Sequence, residues 1–454
     1  MRARSVPIPV VILLALTLGA WAGSLFGVFQ YDDLRNIVLD PATADPVALV
    51  ERLGNGFRPL LRLSYAADHA VWGFTPAGFL LTNLLLHAAT VVAVWALARC
   101  RVDALAAWCA AAVFAVQPAH AAVVASASGR STGLSTLLLA LALLAHEQSI
   151  RHRVAPAIRW SALSLLMFAL AVAAKEVALV FPAVVLLWEW TRPDAARGVA
   201  LVRRLAPAAL AAPLLAVIAF ACSSRLREIT AFSLALDTPM GALATHAAAL
   251  PYSLGLWFRP GALTIEHAPL AAQAALPGML ALAALVLAAI AARPRVPLLT
   301  LALLWPLVML LSSHSVLARL DPVVEKALYP AWIGLSIAIG ALAAAAWSRL
   351  HARRTAAVCA SLVLASLVLC CEWRAAVWAD PVRLWREATE HAPLSARAWH
   401  NRALAELDAR HVVQADASIA RALTLDPESQ RSQDLALAIS LLLPPSTPLK
   451  EHAS

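Results

Sequence analysis

The sequence predicts an all-α membrane protein, a polytopic bundle of about eleven crossing helices followed by a small soluble helical domain. Hydrophobic residues make up 61% of its 454 residues and charged residues 14%, with a mean hydropathy of +0.74, beyond what a water-soluble domain of this length reaches. Apolar runs of roughly the twenty residues that a bilayer requires recur along the chain, and their alanine and leucine favour helices over an alternating barrel pattern. Arginines collect at every second bend between the runs, which is an orientation signal.

The expected crossings are residues 8–29, 77–99, 103–121, 131–147, 158–174, 176–191, 204–222, 278–292, 297–313, 327–346 and 355–372. The first follows Arg2 and Arg4 and is longer than a usual signal-peptide core, so it reads as a retained anchor whose C-terminal side is exported. Arg99, Arg101, Arg151, Arg153, Arg159, Arg192, Arg197, Arg203, Arg204, Arg293, Arg295, Arg349, Arg353 and Arg354 share the face of the N-terminus, expected to be cytoplasmic. Asp32, Asp33, Asp40, Asp45, Glu51, Asp68, Glu176, Glu228, Asp237, Glu266, Asp321 and Glu325 fall on the other face. A bacterial inner membrane with a cytoplasmic N-terminus and a periplasmic C-terminal domain fits this pattern. Gly241–Phe258 is apolar enough to cross but would break the arginine alternation, so it is expected at the outer interface.

The net charge of +9 sits in short bends and forms no basic stripe, which argues against nucleic acid as a partner. Cys100, Cys109, Cys222, Cys359, Cys370 and Cys371 lie in or beside apolar runs without metal-ligand spacing and read as buried small hydrophobes. Walker, dinucleotide, zinc and nucleophile-elbow signatures are absent from the sequence. No cofactor is called for on these grounds, and dependence on a divalent metal is left open.

Residues 1–376 are expected to form the membrane domain and 377–454 the helical one. In the latter, Ala388 and Ala422 are 34 residues apart, as are Pro393 and Pro427, which is the tetratricopeptide period. Asn401, Ala403, Ala415, Ala422 and Pro427 outline one unit over 396–429, with Trp385 in a preceding half-unit and a closing helix over 432–443. A generic helical hairpin is the alternative, because one repeat cannot bury its own apolar face.

The first outer loop begins Tyr31-Asp32-Asp33-Leu34-Arg35-Asn36, directly after a membrane helix. Adjacent carboxylates at such a boundary repel each other, and partial desolvation raises one of them toward general-base duty; solvated helix caps are the simpler reading. Further on stand Phe57-Arg58-Pro59-Leu60, Gly78-Phe79, Thr82-Asn83-Leu84-Leu85-Leu86-His87, Phe114-Ala115-Val116-Gln117-Pro118-Ala119-His120, Ser128-Gly129-Arg130, Lys175-Glu176 and Glu325-Lys326-Ala327-Leu328-Tyr329. In this order, with a C-terminal repeat segment, they resemble the transmembrane and tetratricopeptide-repeat-containing O-mannosyltransferases of the glycosyltransferase C superfamily.

The resemblance implies a polyprenyl-phosphate sugar as donor, an extracytoplasmic protein or glycan hydroxyl as acceptor, and a site at the outer membrane interface. Asp32 and Asp33 match the family's catalytic acidic pair, and a leaving lipid phosphate needs cations, for which Arg58, Arg130 and Lys175 are the candidates. His120, Glu176, Glu325 and Tyr329 are expected to support the substrate site. Each has a plainer role open to it: Arg58 can snorkel, Lys175 and Glu176 can pair at a bend, Arg130 can cap a helix or bind lipid phosphate, and His87 and His120 can be packing histidines. Gln117 and Ala122 stand where the family has a histidine and a glutamate, and Lys326 where it has an arginine. These departures keep a non-catalytic membrane scaffold in play as the rival function. A transporter would want charges at mid-membrane, and few are visible.

Overall fold

The computed structural model describes residues 8–54, 56–152, 154–268, 275–311, 314 and 316–442, and among them every regular element is a helix. Arg2, Arg4 and Arg153 of the orientation pattern, and the end of the expected closing helix, lie outside the described residues. Two compact units emerge, Met1–Leu263 with Leu270–Ala379 and Thr264–Pro269 with Asp380–Ser454.

The larger unit opens with α1 (Ile8–Trp21), carried on by a 3-10 turn to Phe26. Its first loop holds a π turn (Leu34–Val38), α2 (Pro46–Gly54) and α3 (Pro59–Trp72). Then come α4 (Pro76–Ala98), α5 (Ala104–Ala115), α6 (Ala121–Val124), α7 (Arg130–Arg151), α8 (Val154–Ala174), α9 (Phe181–Trp190), α10 (Gly198–Cys222), α11 (Ser224–Leu236) and α12 (Pro239–Gly255). The unit ends with α13 (Ala275–Ala292), α14 (Pro297–Leu310), α15 (Glu325–Arg349) and α16 (Arg353–Ala379).

Within the described residues each of the eleven apolar runs is mainly helical, yet not all are unbroken spans, and Ser312 and Ser313 of the run at 297–313 lie outside the described residues. Among the described residues eight helices are long and apolar enough to cross a membrane: α1 with its extension, α4, α7, α8, α10, α13, α15 and α16. The run at 103–121 bends by 55° between α5 and the turn before α6, which makes a ninth if the pair is one span. The Gln117 side chain caps that turn from Ala119 N–H at 3.2 Å, and Pro118 supplies no backbone donor to continue α5. The run at 176–191 becomes a 3-10 turn and a ten-residue α9, and that at 297–313 a fourteen-residue α14 with Pro306 inside. At 1.5 Å per residue these reach roughly 15 and 21 Å, short of a ~30 Å hydrocarbon core. The segment expected at the interface becomes α12, seventeen residues with Pro251 inside.

Between apolar helices in lipid there is little hydrophobic drive, so close packing must hold them. The α5/α15 seam shows how: Ala106, Ala107, Ala110 and Ala111 are buried, and a Cβ on Gly340 would collide with the backbone of Ala106 and Ala110. A second clamp is polar. Arg130, at the start of α7, is fully buried; it donates to Asn83 Oδ1 (3.0 Å), Ser64 O (3.1 Å) and Phe79 O (2.8 Å) and pairs with Asp68, which also accepts from Thr82 at 2.8 Å. Its guanidinium lies over the rings of Tyr65 (4.9 Å) and Phe79 (5.4 Å), so one side chain ties α3, α4 and α7 together.

The smaller unit contains α17 (Pro381–His391), α18 (Ala396–Asp408), α19 (Val412–Leu425) and α20 (Gln430–Ser440). Ala388 packs with Trp385, Ala398 and Ala405, and Ala422 with Ala403, Ala415, Ile419 and Ile439, so both alanines of the 34-residue spacing are core positions. Glu266 joins this unit from the 264–269 segment, accepting from Ser395 at 2.7 Å and Arg397 at 2.6 and 3.0 Å.

Two stability outcomes follow from the packing. Arg130→Leu strands the Asp68 carboxylate and is expected to cost about 3–5 kcal/mol, whereas pairing it with Asp68→Leu recovers most of the loss, as read by thermal unfolding in detergent. Gly340→Leu forces α5 and α15 apart and is expected to lower the unfolding midpoint, while Gly19→Ala, with open space around it, leaves the midpoint within error.

Candidate functional site

The loop after α1 is held down by apolar side chains: Ile37, Leu61, Tyr65, Phe79 and Ala127 form a buried cluster with Phe29 against it. Gln30 fastens the loop's start through its amide to Trp378 O at 2.6 Å. The chain then turns through Tyr31, whose φ of 50° is left-handed, a conformation that costs a residue with a side chain roughly 1–2 kcal/mol. The result is that Asp32 and Asp33 point to different environments.

Asp33 is 1% exposed. Its Oδ1 accepts Ser128 N–H at 2.7 Å and the Ser126 hydroxyl at 3.4 Å, and its Oδ2 accepts Gln30 N–H at 3.4 Å. Burial pushes its carboxyl above the ordinary range; the Ser128 amide and the charge of Lys326 pull the other way without prevailing. Asp32 keeps about half its side chain in the open, with Lys326 Nζ 3.6 Å from Oδ2. Lys326 also donates to Ser128 Oγ at 3.2 Å, and Ser128 Oγ is 3.0 Å from Ser126 Oγ. One locked carboxyl, one open carboxylate, two hydroxyls and an ammonium thus share a small volume.

A second group comes from the head of α3 and the junction after α8. Arg58, the residue before Pro59, is also left-handed (φ 51°), and it grips Glu176 with two bonds of 2.6 and 2.9 Å. Burial alone would raise the Glu176 carboxyl, but the Arg58 guanidinium overrides it and holds Glu176 down at about 2. Lys175 donates to Thr132 Oγ1 at 2.7 Å. Burial, helped by the positive charge of Arg58, pushes its ammonium down to about 7. The two groups lie within each other's field: Asp32 acts on Arg58, and Lys326 and Arg319 act on Lys175.

The expected residues therefore divide. Asp32, Asp33, Arg58, Lys175 and Glu176 lie in one electrostatic neighbourhood. In it Arg58 is neutralised by Glu176 and leaves Lys175, Lys326 and Arg319 as the other cations. Arg130 is elsewhere in function, its guanidinium committed to the α3–α4–α7 clamp. His120 and Tyr329 belong to a buried aromatic nest: Tyr329 OH is 2.8 Å from His87 Nδ1, and the His120 ring stands 4.5 Å from that of Tyr329 and 4.6 Å from Phe114. Tyr329 follows Lys326 by three residues, so the two side chains leave α15 about one helical turn apart. Glu325 is buried at the head of α15 within the field of Tyr252. Gln117 donates to Trp257 O at 3.4 Å besides capping its turn, and Ala122 is buried.

Within the Glu325–Tyr329 segment the expected residues are Glu325 and Tyr329, whereas the one that reaches Asp32 and Ser128 is Lys326. Its signal was the position itself, where the resemblance has another cation. Ser126 and Arg319 carried no signal. Among the described residues no group of three or more His, Cys, Asp or Glu side chains is placed to share a metal ion.

No family model matches the chain. Protein O-mannosyl-transferase Tmtc1 of Drosophila melanogaster is similar to it, 34% identical over 176 residues, and protein O-mannosyl-transferase TMTC3 of Mus musculus is 27% identical over 179 residues. These stretches cover 35% and 36% of this chain, and the chain spans only about a fifth of the relatives' own length, 20% and 19%. Over a third of its length, then, this multi-pass membrane protein is a distant homologue of protein O-mannosyl-transferases.

Proposed function

We propose that the protein is a membrane glycosyltransferase that moves a sugar, mannose by analogy with its homologues, from a polyprenyl-phosphate donor to a hydroxyl of an extracytoplasmic acceptor. The observation that carries this reading is the asymmetry of the aspartates: Asp33 is locked by the Ser128 amide, whereas Asp32 is half open beside Lys326. A lipid-linked donor keeps its tail in the bilayer, so its sugar phosphate meets protein just beyond a helix end, where this pair sits.

In the proposed step the acceptor hydroxyl gives its proton to an Asp32 oxygen while its own oxygen bonds to the anomeric carbon. The bond from that carbon to the phosphate oxygen breaks, its electron pair leaves with the polyprenyl phosphate, and the sugar inverts. Lys175 and Lys326, with Arg319 nearby, are the cations for the growing phosphate charge. Arg58 is a positioning residue, holding Glu176 and through the chain its neighbour Lys175. Asp33 keeps Ser128, and with it Lys326, in register. The C-terminal unit, read as a tetratricopeptide-like domain, is assigned to holding a Ser- or Thr-bearing polypeptide acceptor, and the arginine-rich loops to the cytoplasmic side.

Transfer from labelled polyprenyl-phosphate mannose in membranes is the direct measurement. Asp32→Asn is expected to slow it by about 10²–10⁴-fold. Asp33→Asn is expected to cost less, since an amide oxygen still accepts Ser128 N–H. Equal transfer by wild type and the Asp32→Asn, Asp33→Asn double variant defeats the reading and leaves a scaffold.

The pH dependence has a definite sign. Lys175 carries its charge below about 7 and loses it above, so kcat/KM for donor is expected to fall as pH rises through that value. Lys175→Arg, charged throughout, should move the falling limb upward. Lys175→Met should erase it and weaken donor use by roughly 10–100-fold, the loss of one charge-assisted contact.

A further inference from the structure

A cavity of about 790 Å³ lies between α7, α8, α9 and α10, at the ends of α7 and α8 remote from Ser128 and Lys175. Because α7 has 22 residues, the cavity's mouth stands roughly 33 Å from the aspartate site, about a bilayer's thickness away, and its depth reaches back toward the middle of the bundle. Its mouth carries His146, Arg203 and Arg204; its depth is lined by Leu165, Phe181 and Pro207.

The charges at the mouth do not cancel. Glu189 is taken by Arg204 at 2.6 Å and His146 at 3.2 Å, and Glu147 by Arg192 and the Trp188 indole, both at 2.7 Å. Arg203 is exposed and makes no hydrogen bond or ion pair among the described residues. The slot runs inward to Leu165 on α8 and Ala208 on α10, about ten residues from each helix start, or roughly 15 Å. That is half of a ~30 Å hydrocarbon core, the depth one acyl chain occupies.

We propose that this cavity is a binding site for an anionic phospholipid of the arginine-rich leaflet, its headgroup phosphate on Arg203 and one acyl chain in the slot beneath. An uncompensated guanidinium at the lipid–water boundary selects negative headgroups, and the apolar depth requires a tail, so free phosphate satisfies only half of the site.

The purified full-length protein in detergent, loaded with phosphatidylglycerol or phosphatidylcholine of the same chains and read by native mass spectrometry and thermal unfolding, tests this. Wild type is expected to retain phosphatidylglycerol over phosphatidylcholine by about tenfold and to unfold several degrees higher with it, and inorganic phosphate should do nothing. Arg203→Gln should abolish the preference, and Ser161→Trp, which fills the slot, should abolish retention of both lipids. Equal retention of the two lipids by wild type, a preference that survives Arg203→Gln, or a shift reproduced by inorganic phosphate overturns the proposal. Should Ser161→Trp fail to fold, the exposed Arg203→Gln variant decides alone.

Discussion

A carboxyl group held away from water at the end of a membrane helix must surrender its charge or be given donors, and Asp33 is met from two directions. The Ser128 amide reaches it from the turn before α7, and the Gln30 amide from its own loop. The rest of the site is arranged around that grip. Ser128 holds Lys326, Lys326 faces Asp32, and the apolar cluster beneath the loop keeps water from competing for the same oxygen. Remove the buried acceptor and the Ser128 amide loses its partner, leaving the apolar cluster and the Gln30–Trp378 bond to hold the loop alone.

The same economy explains why neighbouring charges act so differently. Arg130 and Arg58 both lie near the first loop, yet one is fully enclosed with four protein acceptors and the other is half-buried and paired with a single carboxylate. The first has become part of the packing that small residues provide elsewhere in the bundle. The second leaves room for Lys175, whose lowered basicity comes from burial next to a guanidinium.

Much of this fold could be read from hydropathy, because lipid solvation leaves long apolar runs few alternatives to helix. What hydropathy could not register was hydrogen-bond continuity: Gln117-Pro118 breaks one run and the short α9 shortens another without any fall in apolar content. The aspartate pair was legible because two carboxylates after a membrane helix are costly. Lys326 was not, since it lies 198 residues from Ser128 in the chain and only folding brings the two together; Ser126, two residues from Ser128, carries no charge that would single it out. Arg130 shows a related limit: a sequence displays a charge but not the partners, here Asn83, Ser64, Phe79 and Asp68, that surround it.

The left-handed turns at Tyr31 and Arg58 and the bonds that secure them bear on how the molecule is made. A ribosome delivers the aspartates first, the Ser128 amide after α4, α5 and α6, Glu176 later still, and Lys326 only when most of the bundle has emerged. Until then nothing offsets the cost of the left-handed turns at Tyr31 and Arg58, and the first loop has no reason to adopt them. Closure of this cluster is therefore among the last events of biogenesis, so a half-inserted chain carries Asp32 and Asp33 without the Lys326 ammonium that faces them in the folded protein.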